Sequence, residues 1–265
     1  MSSFPGKKTE SLSLVFAALG GLVLLFIIAP LVSMFVNCSF GELAGTAKEA
    51  EVRNSIFLTL WTSMAATMIC AVAAVPFAYL LARKNFPLKG FVTALIDLPV
   101  VIPHSAAGIA LLGVLSRSAF LGQAANKIGF SFVGSSAGIM AAMAFVSIPY
   151  LINSARDGFL AVPEQLEKAA LSLGAGPLRV FLTISAPLAA RSIVSGLILM
   201  WARGMSEFGA VLIIAYHPMT TPVLIYERFG AFGLKYARPV AVLFILVCLV
   251  FFITLRLLAR EKQNA

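Results

Sequence analysis

The sequence is short of charge. Only 12% of its 265 residues are Asp, Glu, Lys or Arg, while 60% are hydrophobic. A soluble domain carries about a quarter charged residues, so this chain lacks the polar groups to cover a water-facing surface. That excludes an ordinary cytosolic enzyme, a secreted disulfide scaffold and a disordered tail. Cysteine and histidine are also scarce. Cys38, Cys70 and Cys248 lie far apart, and His104 and His217 are the two histidines. None of these has metal-ligand spacing, and an odd thiol count gives no disulfide framework. The expected metal ligands and catalytic residues are therefore none. No G-x-x-x-x-G-K-[ST] phosphate loop exists, since Gly6-Lys7-Lys8-Thr9 lacks the leading glycine. The loops are too short to hold an ATPase domain of ~100 residues or more. No cofactor is expected on this chain.

Long uncharged runs are abundant. They cover 11–41, 54–82, 128–155 and 239–255. Two further apolar runs hold a few ionisable groups: 90–116 with Asp97 and His104, and 192–226 with Arg203, Glu207 and His217. A helix needs about 20 apolar residues to cross the hydrocarbon core, and all six runs qualify. The short alternating segments of a β-barrel are absent. The reading is an all-α polytopic membrane protein, a single domain over 1–265. Its six spans are expected at about 12–37, 56–82, 91–115, 134–155, 191–216 and 239–258. The first run, Leu12–Val36, is too long for a signal-peptide core of about 7–15 residues. The net charge of +9 is read as loop charge, not as a nucleic-acid surface. Twelve flanking lysines and arginines fall on the side of the termini and seven on the other. The positive-inside rule then puts both termini in the cytoplasm of a multi-pass cell-membrane protein.

The segment 156–190 is the most informative loop. Pro163 suits the first turn of a helix, and Glu164 follows at the positive end of its dipole. Leu166, Ala169, Ala170 and Leu173 fall at i, i+3, i+4 and i+7 and make one apolar stripe. Glu167, Lys168 and Ser172 occupy the other face. Gly174 suits a left-handed cap, and Pro177 begins the next segment. A short amphipathic helix outside the membrane is expected over 164–174. It could lie on lipid or dock in a groove on a soluble partner. Small alanines, and the lack of Trp, Phe and a basic cluster, favour docking.

This stretch resembles the EAA loop of ABC importer permeases, whose pattern is E-A-A, three residues, G, nine residues, I-x-L-P. Here Lys168-Ala169-Ala170, Gly174, Ile184 and Ala186-Pro187 keep the spacing. Lys168 replaces the family's Glu, with Glu167 adjacent, and Ala186 replaces Leu. The resemblance extends from the second span to the sixth. Trp201–Val211 (W-A-R-G-M-S-E-F-G-A-V) and Asp97–Leu112 resemble permeases for tetrahedral oxyanions, and Ile214–Phe229 is similar to the molybdate/tungstate branch.

The resemblance implies a permease that is not itself an enzyme, with the coupling loop at Glu164, Glu167, Lys168, Ala169, Ala170, Gly174, Ile184 and Pro187. It implies a second copy of this chain, two ABC ATPase subunits carrying ATP and Mg, and an extracytoplasmic oxyanion-binding protein, all around the lipid bilayer. The same machine carrying sulfate or thiosulfate is the near alternative. An ion-coupled secondary transporter is the distant one, although the paired broken helices of inverted repeats are not evident.

Ionisable residues inside apolar runs should face protein or water. Arg203 and Glu207 are four apart and share a helix face, either as a structural ion pair or as part of a gate. Pro99 and Pro103 should break the helix between Asp97 and His104. Broken backbone at membrane depth is tolerated when it is packed by neighbouring helices or lines a water-filled cavity. Asp97, Pro99, Pro103, His104, Arg203 and Glu207 are therefore the pathway or gate candidates. Two carboxylates and one arginine do not make a tight anion site. Gly20-Gly21 and the alanines at 65–66, 73–74 and 141–142 are read as helix-packing positions.

Overall fold

The structure is a computed structural model that describes residues 6–261. All its regular elements among the described residues are helical. In chain order they are α1 (Gly6–Val36), α2 (Phe40–Lys48), α3 (Ala50–Arg83), α4 (Lys89–Val101), α5 (His104–Leu115), α6 (Phe120–Lys127) and α7 (Ser136–Ala161). They continue as α8 (Glu164–Ser172), α9 (Pro177–Val180), a π-helical segment (Phe181–Ser185), α10 (Ala186–Met205), α11 (Gly209–Ile214), α12 (Thr221–Phe232) and α13 (Leu234–Glu261). Among the described residues, five stretches are long and apolar enough to cross a membrane: Leu12–Val36, Ala50–Arg83, Ser136–Ala161, Pro177–Met205 and Leu234–Phe251. The pair α4 and α5, bent by 114°, adds a sixth if the two count as one broken span. The chain is an all-α polytopic membrane protein of the kind expected.

It divides into two compact units. One comprises 1–52 with 227–265, the other 53–226. In the first, α13 packs on α1 and α2. Ser39 and Glu42 form a reciprocal capping box at the start of α2. Arg228 bridges Glu49 and Glu51, and Arg238 donates to the Asn37 carbonyl over 2.7 Å. Helix α1 buries nothing across its most apolar stretch. A Cβ added at Gly20 or Gly21 would meet no atom within 4 Å, so within this chain these glycines are not the close-contact positions expected.

The second unit is organised around α7, where Ile139, Met143, Val146, Leu151, Ala155 and Phe159 are all buried. Helices α7 and α10 meet through two matched small pairs. A Cβ at Gly158 would lie 2.4 Å from the Ser192 Cβ, and one at Gly196 would lie 3.0 Å from the Ser154 Cβ. Ser154 donates to the Ser192 carbonyl over 2.7 Å. Two small-x-x-x-small faces thus bring the backbones together, the route to tight packing where lipid removes the hydrophobic drive. Of the alanines read as packing positions, Ala66, Ala74 and Ala142 are buried.

Prolines set the breaks. Ile102 precedes Pro103 and is held extended, at φ −71 and ψ 146. A proline disfavours helical backbone in the residue before it, so α4 stops there and α5 starts afresh at His104. Pro99 is buried one turn earlier, inside α4. Val162, before Pro163, is extended for the same reason and ends α7.

The fifth expected span, 191–216, is drawn differently by the structure. Helical backbone runs from Pro177 to Met205, so the second half of the expected loop is helix. The π-helical segment lies just before Pro187. That proline has no N–H and its ring would strike the carbonyl four residues back, so the preceding turn widens and Ala186 N–H reaches Phe181 O instead. Helix α10 stops at Met205, where the Ser206 hydroxyl donates to the Arg203 carbonyl over 3.0 Å. Glu207 then opens α11 by accepting from Ala210 N–H over 2.9 Å.

Candidate coupling loop and intramembrane charge site

Helix α8 is the short helix expected, over Glu164–Ser172. Pro163 stands at the N-cap, one position earlier than expected, and Leu173 is the C-cap. Gly174 has φ +86, donates to Leu171 O over 3.0 Å, and Ala175 N–H donates to Ala170 O over 3.0 Å. That pair of bonds is a Schellman cap, which needs a left-handed residue at Gly174. Ile184 is half-buried in the π-helical segment, and Pro187 is exposed on the first turn of α10.

The apolar stripe points away from the rest of the chain, where a partner or lipid could cover it. Leu166, Ala169 and Leu173 are exposed, Leu173 at 90%, and Ala170 is half-buried. The residue that turns inward is Glu167, 7% exposed. Its carboxylate accepts from Arg83 Nε over 2.9 Å, Arg83 Nη2 over 2.9 Å, Tyr79 Oη over 3.1 Å and Ser185 Oγ over 2.7 Å. Arg83 Nη2 also reaches Val162 O over 3.0 Å. Arg83 is the last residue of α3, where a cation meets the negative end of the dipole. The rings of Tyr79, Phe159 and Phe181 pack edge-on or tilted against one another beside the network. Burial pushes the Glu167 carboxyl up, but hydrogen bonds from Arg83 and Ser185 and the Arg83 charge outweigh it, leaving the group below the ordinary carboxylate range. On the outer face, Lys168 pairs with Glu164 at 2.9 Å, which holds Glu164 low as well.

Inside the apolar runs, His104, Arg203 and Glu207 come together. Arg203 Nη2 lies 3.0 Å from Glu207 Oε2 and 2.9 and 3.1 Å from the two His104 ring nitrogens. His104 Nδ1 lies 3.2 Å from Glu207 Oε2. Glu207 is 1% exposed and its other oxygen holds the start of α11, whereas Arg203 is 21% and His104 43% exposed at the side chain. The bend between α4 and α5 carries His104 to this meeting point. Glycines let α5 and α11 approach: a Cβ at Gly108 would lie 2.9 Å from Ile213 Cβ, and one at Gly209 would lie 2.8 Å from His104 Cβ. Asp97 is not part of the cluster; it accepts from Asn153 over 2.6 Å across α4 and α7.

Sequence reading missed a column of hydroxyls on α3. Ser55, Thr59, Ser63 and Thr67 recur every fourth residue and are all buried. Thr59, Ser63 and Thr67 each donate to the carbonyl four residues back, over 2.7–2.8 Å. Thr59 also accepts the Thr221 N–H over 2.8 Å at the head of α12. The period-four spacing was the available signal. The letters Gly134-Ser135-Ser136-Ala137-Gly138 fit a G-x-S-x-G string, but its central Ser136 is the first residue of α7, and Ser135 before it is the N-cap, accepting from Gly138 N–H. Among the described residues, no cluster of three or more His, Cys, Asp and Glu could hold a metal ion.

The bent pair α4–α5 and the capped helix between α7 and α10, with its exposed apolar face, fit a membrane component of a transport system. Residues 74–263 match the model for the binding-protein-dependent transport system inner membrane component, and the chain belongs to that family. It is 44% identical to a molybdate/tungstate transport system permease protein of Pyrococcus abyssi, over 94% of this chain and 96% of the relative. A probable sulfate transport system permease protein of Chlorokybus atmophyticus is 33% identical over 76% of this chain and 73% of its own. The fold matches a solved bacterial alginate ABC transporter in complex with a periplasmic protein bound to an alginate pentasaccharide, with TM-score 0.75, 16% identity and 97% of each chain covered.

Proposed function

We propose that this chain is the membrane-spanning subunit of an ATP-driven importer for molybdate and tungstate. The observation that carries the substrate is the 44% identity over nearly the full chain to the Pyrococcus abyssi permease, against 33% over three quarters of the chain to the sulfate relative. The proposed assembly has two copies of this chain, two ABC ATPase subunits carrying ATP and Mg, and an extracytoplasmic binding protein. Both termini and α8 face the cytoplasm.

Helix α8 supplies the coupling contact. Its outer face presents Leu166, Ala169 and Leu173 with the Glu164–Lys168 pair, a surface of the size and polarity that a partner groove covers. Gly174, Ile184 and Pro187 shape the return into the membrane. ATP binding closes the ATPases, draws the paired helices together and turns the cavity outward; hydrolysis lets it reopen.

The pathway reading also gains from the geometry. Asp97 is engaged by Asn153, and Glu207 is shut away from solvent behind Arg203. The groups left partly exposed at the break, His104 and Arg203, are neutral or positive. A dianion therefore meets donors there, not fixed carboxylates. Pro99 and Pro103 build the break, and Glu207 orients Arg203. A site of this kind holds the ion weakly, as a conduction path requires, and high affinity stays with the binding protein.

The test is uptake into proteoliposomes holding this chain, the ATPase and the binding protein. ATP-dependent molybdate uptake that excess tungstate competes away and excess sulfate does not is the expected result. Sulfate uptake at equal or greater efficiency would move the substrate to the alternative, and uptake driven by an ion gradient without ATP would overturn the class.

A further inference from the structure

Donors from two other elements converge on one carboxylate of α8. Glu167 belongs to α8, Tyr79 and Arg83 to the end of α3, and Ser185 to the π-helical segment that leads into α10. Arg83 adds the end of α7 through Val162 O. We infer that Glu167 is a positioning residue, not an ATPase-contacting one: with Arg83, Tyr79 and Ser185 it clamps the coupling helix to the ends of α3, α7 and α10, so that displacement of α8 becomes displacement of the spans. This rests on the coupling role proposed for α8.

Three observations separate this from ordinary packing. First, the rest of α8 has few attachments. Leu166, Lys168, Ala169 and Leu171 are exposed and Ala170 is half-buried, so Glu167 is the fully buried side chain of the helix. A displaced helix held at a single polar hub would otherwise roll over its neighbours. Second, the hub is geometrically demanding. Two of the guanidinium nitrogens of Arg83, Nε and Nη2, engage the carboxylate in a fork, which fixes direction as well as distance. Third, Ser185 comes from the π-helical turn. A regular α-helical turn there would rotate the residue relative to α10. The widened turn forced by Pro187 therefore contributes to placing a hydroxyl on the hub. The acid of the loop thus serves the chain's own interior, while the outward position next to it carries Lys168.

The experiment uses the whole transporter with its ATPase and binding protein in proteoliposomes. Glu167→Gln keeps the shape of the side chain and removes the charge that Arg83 grips. The readouts are ATPase co-purification, ATP hydrolysed and molybdate delivered. The expected result is a complex that retains its ATPase but hydrolyses several-fold more ATP for each ion delivered. Arg83→Lys, which keeps the charge but loses the fork, should fall between wild type and Arg83→Met. Ser185→Ala, which leaves the ion pair intact, should show a smaller uncoupling and covers the case in which a charge variant fails to assemble. Wild-type ratios of ATP to transported ion in Glu167→Gln and Ser185→Ala would overturn the clamp. Loss of ATPase co-purification in Glu167→Gln with full recovery in Lys168→Ala would also overturn it, by making Glu167 a docking residue. Failure of the wild-type chain to retain any ATPase would instead overturn the coupling role of α8.

Discussion

Gly158 has no room for a side chain, because a Cβ there would stand 2.4 Å from the Ser192 Cβ across the α7–α10 contact. The nearby Ser154 hydroxyl binds the Ser192 carbonyl, so the two backbones cannot separate without losing that bond. Gly158→Val should overpack this crossing and lower stability by about 1–3 kcal/mol. Gly20→Ala, where no atom lies within 4 Å, should leave it unchanged or slightly improved. Thermal unfolding of the two variants in one detergent checks the pair. Equal melting temperatures would mean that the crossing is looser than its geometry indicates.

Local rules made part of this architecture legible. Pro103 and Pro163 act on the residue before them, so the breaks at Ile102 and Val162 follow from neighbouring letters alone. Gly174 as a left-handed cap is equally local. What was not legible depended on distant partners. Helical periodicity identified the apolar stripe of α8 but not which face turns inward, since that was decided by Arg83, more than eighty residues earlier. The end of α10 at Met205 escaped notice because apolar letters continue to Ile214, and the stop comes from Ser206 and Glu207 binding backbone. The fourfold hydroxyl spacing on α3 was visible as a pattern, but its use at Thr221 was not.

Glu207 serves charge and backbone together. Its loss leaves Arg203 without its carboxylate and the Ala210 N–H without an acceptor. Glu207→Ala should reduce folded yield sharply, since breaking a buried pair costs about 3–5 kcal/mol. Glu207→Gln, which can still accept from Ala210, should be milder. Exchanging the two charges should not restore the protein, because an arginine at 207 would bring a cation to the positive start of α11. Recovery of the exchanged variant to wild-type yield, measured by size-exclusion profile, would show that the ion pair alone matters.

The acid response of α8 follows from Glu167. Its carboxyl is held below the ordinary range in the folded chain, so its contribution is complete above the unfolded value of about 4.3 and lost as pH falls through the lower folded value. Opening of α8, read as amide exchange divided by the intrinsic rate at each pH, should therefore be flat through neutral pH and should rise only in acid below that ordinary range. In Glu167→Gln the acid rise should vanish, with exchange already fast at neutral pH. A rise centred between pH 6 and 8 would point to a different titrating group.

Orientation is open to labelling from outside in intact cells. Asn126 on α6 and Lys168 on α8 are both exposed, so a cysteine at either is reachable from its own side. An impermeant maleimide should modify Asn126→Cys and miss Lys168→Cys until the membrane is permeabilised, given the charge asymmetry of the loops. The reverse pattern would invert the proposed topology.

Docking on the ATPase is the most direct test of α8. Ala170 is half-buried on the helix, its carbonyl receives the Ala175 N–H, and Gly174 needs its φ of +86 for the same cap. Ala170→Asp puts a charge beside a surface proposed to be covered, where an unpaired carboxylate is costly to desolvate. Gly174→Val meets no steric obstacle, since nothing lies within 4 Å, but a β-branched residue resists positive φ at about 1–3 kcal/mol. The cap should then fray and the outward leucines lose their alignment. Neither change touches a spanning helix, so both variants should insert and dimerise as the wild type does. Both should lose most of the ATPase on co-purification, with transport falling in proportion. Full ATPase recovery together with wild-type transport would place α8 on the lipid surface, and the coupling contact would have to be sought elsewhere on the chain.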